Sequence, residues 1–180
     1  MNVRIGEEIP DFEVEAYVRN EPEPQRFKLS KYRGNWIVLF FYPRNFSFVC
    51  PTEIETFGNM EPEFKKEDAV LLGASTDSYY AHKAWYEGDA WLDHINFPII
   101  ADSGHALSQA FNVLQENGDD LRGTFIINPE GVLRFVQMND SDVGRNVQEI
   151  LRNLQALKQG ALCPEGWTPD QPTLTDHMNS

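Results

Sequence analysis

Seven consecutive residues, Trp36 to Tyr42 (WIVLFFY), are aromatic, β-branched or leucine, with no polar residue and no alternation among them. A strand of that kind is apolar on both faces, so it belongs in the middle of a sheet that is itself covered on both sides. The chain supplies the partners this demands. Ala69 to Ala74 (AVLLGA) and Thr124 to Asn128 (TFIIN) have the same character and are bounded by polar or turn residues. Val132 to Met138 (VLRFVQM) follows the turn Asn128 to Gly131 closely enough to make a hairpin with the strand before it. Two shorter extended pieces, Asp11 to Ala16 and Phe27 to Leu29, flank the polar loop Asn20 to Gln25.

The covering layers are read from helical spacing. Asn146 to Gln159 places Val147, Ile150, Leu151, Leu154 and Leu157 on one face and meets Gly160 as a stop. Asp77 to Glu87 opens on capping residues and carries Ala81, Ala84 and Trp85 at helical intervals. Gly104 to Phe111 reads as a short helix. Thr52 to Lys66 has Ile54, Phe57 and Phe64 in register, with Pro62 expected to kink or divide it, because proline removes a backbone donor and crowds the preceding turn. Strands alternating with helices specify an α/β sheet with helices on both faces.

With 180 residues, of which 41% are hydrophobic, there is material for one sizeable core. A single domain over residues 1–180 is expected, with residues 160–180 as a C-terminal tail. The 15 Lys and Arg against 28 Asp and Glu give a net charge of -13, which repels phosphate backbones and anionic lipid. Neither nucleic acid nor a membrane is an expected partner. The longest apolar run is too short to span a bilayer, and MNVRIGEEIP lacks the features of a secretory signal. The expected compartment is the cytoplasm. Two cysteines cannot make a disulfide framework, and His82, His94, His105 and His177 are scattered without metal-ligand spacing. Neither a metal nor another cofactor is expected, which leaves the chemistry of cysteine.

Pro43 to Glu53 (PRNFSFVCPTE) joins the strongest strand to the helix that follows, and α/β folds place reactive groups where strand ends lead into helices. Cys50 precedes Pro51, and proline is favoured in a first helical turn, where a missing N–H costs nothing. The thiol is therefore expected at a helix N-terminus. Unpaired N–H groups and the positive end of the dipole favour the thiolate there, and the thiolate is the nucleophile. A free cysteine can also be a small buried hydrophobe. The neighbours Pro43, Ser47, Thr52 and Glu53, however, compose a shaped polar loop rather than a core plug.

This segment resembles the PxxxTxxCP active-site motif of the peroxiredoxins, in the group that contains the alkyl hydroperoxide reductase C subunit. KYRGNWIVLFFYP, STDSYYAHKAW, FPIIAD, RGTFIINPEGVLRF, VGRNVQEILR and ALCPEGW resemble further family segments, in the family order and over nearly the whole chain. The resemblance implies a thioredoxin-like (peroxiredoxin) fold, a central mixed β-sheet with helices on both faces. It implies a thiol peroxidase that reduces hydrogen peroxide and organic hydroperoxides. Cys50 would be the peroxidatic cysteine, oxidised to a sulfenic acid. Ser47 would hydrogen-bond the sulfur and the peroxide, Pro43 would shield the site, and Arg122 would set a fixed cation beside the thiolate. Glu53 and Arg145 would orient Arg122. Read without the family, Arg122 and Arg145 are ordinary surface ion-pair residues of an acidic chain, and Glu53 is a first-turn helix acid.

Cys163, in LCPEGW, matches the resolving cysteine of the typical two-cysteine class. It would condense with the sulfenic acid of Cys50 in a partner subunit to form a transient disulfide. A disulfide needs Cα atoms within about 7 Å, so a sheltered Cys50 implies local unwinding around residues 46–56 and after residue 160.

Two departures from the family carry expectations. Ser47 replaces the usual threonine and so lacks the methyl that stiffens the rotamer. WLDHIN stands where easily inactivated members carry Gly-Gly-Leu-Gly, and LTDHMNS lacks their Tyr-Phe helix, which implies resistance to overoxidation. With no flavin or nicotinamide fingerprint and no CxxC, reducing electrons are expected from thioredoxin, a flavin disulfide reductase or an alkylhydroperoxidase-type adapter. The resemblance also implies a homodimer through the edge strand Val132 to Met138, assembling further to a decamer. The alternative function is a peroxide sensor or holdase ring with secondary peroxidase turnover. A general thiol-disulfide oxidoreductase would need the CxxC that this chain lacks.

Overall fold

The computed structural model describes residues 2–178, which pack as two compact units, Met1–Arg145 and Asn146–Ser180. The first unit holds all the strands: β1 (Glu13–Tyr17), β2 (Gln25–Lys28), β3 (Trp36–Phe41), β4 (Ala69–Ser75), β5 (Ile99–Ala101), β6 (Arg122–Ile127) and β7 (Leu133–Asn139). They form one sheet in the order β2-β1-β5-β4-β3-β6-β7. All residues of β3 are buried, as its unbroken apolar run requires, and it pairs in parallel with β4 and antiparallel with β6. The sheet is therefore mixed.

A 3-10 helix (Leu29–Tyr32) and helices α1 (Val49–Lys66), α2 (Tyr79–Gly88) and α3 (Ala106–Ala110) complete this unit. Successive residues of a strand point to opposite faces, and β3 makes the consequence visible. Phe40 stacks on Phe57 of α1 at 4.1 Å, whereas Phe41 meets Phe111 at the end of α3 at 5.5 Å and Phe125 at 5.7 Å. Helices thus lie on both faces. The β6–β7 hairpin forms as the spacing predicts, with Gly131 at φ 85 and the Asn128 side chain accepting from the Val132 N–H at 2.8 Å.

One expectation needs correction. Pro62 does not divide the Thr52 to Lys66 segment, and α1 is one 18-residue helix through it. Proline there removes only the bond to the Gly58 carbonyl. The buried Ile54 and Phe57 on one side and Phe64 on the other hold both halves against the core. A further strand, β5, is one that apolar periodicity does not reveal. Its three residues follow Pro98, too few to show a pattern, and tertiary pairing with β4 and β1 makes them a strand.

The second unit begins with α4 (Val147–Gln159), where the Asn146 side chain accepts from the Glu149 N–H at 3.1 Å. Gly160 ends it in the left-handed conformation at φ 66, a position glycine takes without strain. Buried Trp167 follows, its indole N–H donating to the Gln171 carbonyl at 2.9 Å. A short helix, α5 (Leu174–Met178), lies where no element is expected from the sequence. Its signal is a reciprocal cap: the Thr173 hydroxyl donates to Asp176 at 2.7 Å, and the Asp176 N–H donates back at 3.2 Å. Among the described residues, no helix is long and apolar enough to cross a membrane.

Candidate active site

β3 carries the chain to the site. Beyond Phe41 come buried Tyr42 and Pro43, then a turn in which Phe46 takes a left-handed backbone (φ 55), and α1 begins at Val49. Cys50 sits in the first turn of α1, fully buried, with Pro51 beside it. Phe48 supplies no side-chain cap to that turn, so its orphan N–H groups keep their attraction for negative charge.

β6 pairs with β3 and brings Arg122 to the same end of the sheet. Arg122 donates through Nη1 to the Cys50 sulfur at 3.4 Å and to Glu53 Oε2 at 2.7 Å, and through Nε to the Ser141 carbonyl at 2.8 Å. Glu53 lies one turn along α1 from Cys50, on the same face. Its other oxygen accepts from the Arg145 N–H at 2.8 Å and from Arg145 Nε at 3.0 Å. Arg145 also donates to the Gly123 carbonyl at 3.0 Å and the Thr124 hydroxyl at 2.9 Å. Its guanidinium stands over the rings of Phe40 and Phe57 at 5.5 and 6.0 Å. Burial pulls the Arg145 guanidinium below its usual range, and the Glu53 carboxylate opposes that.

The cluster contains two guanidinium groups and one carboxylate, all buried. Such ions are tolerable only with their hydrogen bonds satisfied, and here the geometry supplies partners for each. The net positive charge is directed at the sulfur. Gly123, between Arg122 and Thr124, is required by space: a Cβ there would fall 2.6 Å from Val113 Cγ1 and 2.9 Å from the Phe125 ring.

Of the residues expected at the site, the structure brings Cys50, Glu53, Arg122 and Arg145 into one hydrogen-bonded cluster. Pro43 and Ser47 lie on the turn that precedes it. The Ser47 hydroxyl donates to the Arg44 carbonyl at 3.1 Å. Among the described residues the sulfur's hydrogen-bond donor is Arg122, so the expected Ser47 bond to Cys50 is not made in this state. A serine can serve either acceptor by rotating about one bond. Cys163 belongs to the second unit, partly exposed, with its thiol donating to the Ala156 carbonyl at 3.6 Å. It borders an open pocket of about 460 Å³ lined by Glu149, Arg152, Asn153 and Glu165. Both cysteines are free. Apolar spacing gives no sign of Ser141, Asn45 or His82, whose importance lies in contacts across the fold.

Comparison with known proteins gives a consistent result. A family model described as the AhpC/TSA family matches residues 5–136. The chain is similar to the putative peroxiredoxin YkuU of Bacillus subtilis, with 43% identity over 176 residues covering 94% of this chain and 97% of that one. Peroxiredoxin prdx-2 of Caenorhabditis elegans is 44% identical over 178 residues, covering 94% and 88% respectively. Among solved structures, that of Enterococcus faecalis AhpC superposes with a TM-score of 0.85 at 35% identity, covering 91% of this chain and all of that one. The reduced 2-Cys peroxiredoxin of Plasmodium vivax gives a TM-score of 0.90 at 28% identity, covering 98% of each chain.

Proposed function

Because this chain belongs to the AhpC/TSA family, whose peroxiredoxins are thiol-dependent peroxidases, we propose that peroxide is reduced here at Cys50 and that Cys163 of a partner subunit resolves the product. One observation carries the assignment: a fully buried sulfur in a first helical turn, with a buried guanidinium 3.4 Å away. The thiolate is the form that balances the charge of Glu53, Arg122 and Arg145.

The thiolate attacks one peroxide oxygen, the O–O bond breaks, and hydroxide or alkoxide leaves and takes up a proton. Sulfur is oxidised to the sulfenic acid and the peroxide is reduced to water or alcohol. Arg122 stabilises charge on the oxygens as it moves, a role that depends on the rigid fork Glu53 and Arg145 maintain. Pro43 limits access of water, and the Ser47 hydroxyl turns from Arg44 towards the sulfur and its oxygen partner. The Cys163 thiol then attacks the sulfenic sulfur, releasing water and forming an intersubunit disulfide. Cys50 must leave its helical turn for this, so residues 46–56 and those after 160 rearrange.

An external thiol system, whether thioredoxin, a flavin disulfide reductase or an alkylhydroperoxidase-type adapter, restores both thiols. The dimer uses β7, a sheet edge on which Val136 and Met138 are part-exposed, and dimers assemble to a decamer in the cytoplasm. Residues 1–180 act as a single peroxiredoxin domain, with residues 160–180 as the tail that carries the resolving thiol.

The test is peroxide consumption with a small dithiol, alongside non-reducing gels. Cys50→Ser should abolish turnover, and Arg122→Met should slow sulfur oxidation by about 10²–10³-fold, as for loss of one charge-stabilising donor. Cys163→Ser should retain dithiol-driven turnover but lose the disulfide dimer. Normal turnover by Cys50→Ser would overturn the assignment. Rapid oxidation with poor recycling of the disulfide would instead indicate a peroxide sensor.

A further inference from the structure

The turn that delivers Cys50 to α1 is anchored by a buried polar cluster outside the chemistry described above. Asn45, buried to 4% exposure, donates its backbone N–H to Asp77 Oδ2 at 2.9 Å, an oxygen that also accepts the Ser75 hydroxyl at 2.7 Å. The Asn45 side-chain carbonyl accepts from the Tyr42 hydroxyl at 2.8 Å, and its amide donates to His82 Nδ1 at 3.0 Å. Tyr42 lies 3.3 Å from the same nitrogen and accepts from the Tyr86 hydroxyl at 3.2 Å.

The state of His82 follows from its other side. Its Nε2 is 3.1 Å from the Ile100 carbonyl, a group that only accepts, so the hydrogen belongs on Nε2 and the lone pair on Nδ1. The titratable groups facing the ring are Asp77, Tyr42 and Tyr86. Burial outweighs the attraction of Asp77 and pulls His82 down to about 4. The ring is therefore neutral at neutral pH, and Nδ1 remains an acceptor for Asn45.

What the cluster restrains is a strained piece of chain. Phe46 holds a left-handed backbone at φ 55, which a non-glycine residue keeps only when its surroundings enforce it. On one side of Phe46 stands Asn45, tied to His82, Tyr42 and Asp77; on its other face, its ring meets Trp85 at 5.8 Å. Without the Nδ1 acceptor, the Asn45 amide is left as a buried unpaired donor or rotates and abandons Tyr42. Either outcome frees the turn immediately before the reactive sulfur.

We propose that His82 is a positioning residue for peroxide reduction: by accepting from Asn45 at Nδ1 it fixes the 43–48 turn, and with it the pose in which Arg122 reaches Cys50. This rests on Cys50 being the sulfur that peroxide oxidises. A small misplacement of reacting groups is enough to slow such a step by an order of magnitude or more.

The experiment is rapid-mixing oxidation of the fully reduced protein by hydrogen peroxide, followed by intrinsic fluorescence, with Cys50→Ser as control. His82→Leu and Asn45→Ala should each lower the second-order rate constant about tenfold, and the double variant no further, because both break the same bond. His82→Asn, whose side-chain carbonyl can occupy the Nδ1 position, should recover to within about twofold of wild type. In wild type, imidazole nitrogen resonances should report the Nε2–H form at neutral pH. A wild-type rate in Asn45→Ala, additive losses in the double variant, or a His82→Asn variant as slow as Asn45→Ala would each overturn the proposal. If His82→Leu does not fold, Asn45→Ala and His82→Asn decide the matter alone. Peroxide consumption surviving in Cys50→Ser would instead overturn the assignment of Cys50.

Discussion

Glu53 and Asp120 are carboxylates buried in the same unit, at 4% and 0% exposure, in entirely different company. Glu53 receives donors from two guanidinium groups and a backbone N–H. Asp120 has no hydrogen-bond partner for either oxygen among the described residues. The Ser108 hydroxyl that could relieve it is committed to Asp102 at 2.6 Å. Burial accordingly raises Asp120 from the ordinary 3.8 to about 8, against a lowering pull from the nearby Ser108 hydroxyl and with Asp102, Asp119 and Asp77 adding repulsion. Burial alone neutralises a carboxyl, whereas burial among fixed cations keeps it as a charged strut. The proposed active site depends on the second arrangement.

Breaking the strut should have the largest effect. Glu53→Gln leaves two buried guanidiniums without their carboxylate, and urea unfolding should show a loss of roughly 3–5 kcal/mol, the usual range for breaking a buried ion pair. Asp120→Asn is expected to act in the opposite direction. The folded protein holds a proton on Asp120 that the unfolded chain releases above pH 3.8, so stability falls as pH rises from there to about 8 and is then constant. The asparagine variant should therefore gain little near pH 4 and about 5 kcal/mol near pH 8. Equal gains at both values would show that Asp120 carries its charge throughout.

His82 sharpens the comparison from the other charge type. Its folded value of about 4 lies below the ordinary 6.5, so the unfolded chain binds the extra proton and stability is lost as pH falls from 6.5 towards 4. That loss should reach about 3 kcal/mol and be absent in His82→Asn, measured by denaturation across that window. Glu149 is the smallest case, a carboxylate with a partner and little burial. Arg152 holds it at 2.7 Å, yet its side chain is 44% exposed. Screening by water leaves such pairs worth little, so Glu149→Gln should change stability by no more than about 0.5 kcal/mol.

These contrasts also mark how far the sequence can be read unaided. WIVLFFY is legible as a central strand because burial on both faces leaves no room for a polar residue, and α4 because its apolar stripe, Asn146 and Gly160 agree. β5 is not, because three residues carry no period. Cys50 is legible through Pro51 and the loop around it, a local signal. Arg122 and Arg145 read as surface charges and Glu53 as a first-turn helix acid until a family pattern is laid over them, since their meaning lies in pairings across 69 and 92 residues. The Asn45–His82 bond spans 37 residues and joins two polar side chains, so it leaves no trace in hydrophobic periodicity. Ser47 lies on the loop before α1, but which acceptor its hydroxyl serves is a rotameric choice that sequence does not encode.

The guanidinium of Arg145 rests over Phe40 and Phe57, two rings that also stack on each other between strand and helix. The interior and the reagent therefore share a wall. A change that loosened those rings by a fraction of an ångström, harmless to folding, would on the proposed roles tilt the lever by which Arg145 and Glu53 aim Arg122. Substitutions there should be felt first in the rate at which peroxide is consumed and only later in the melting temperature, which ties the tolerance of this core for new residues to its work as an enzyme.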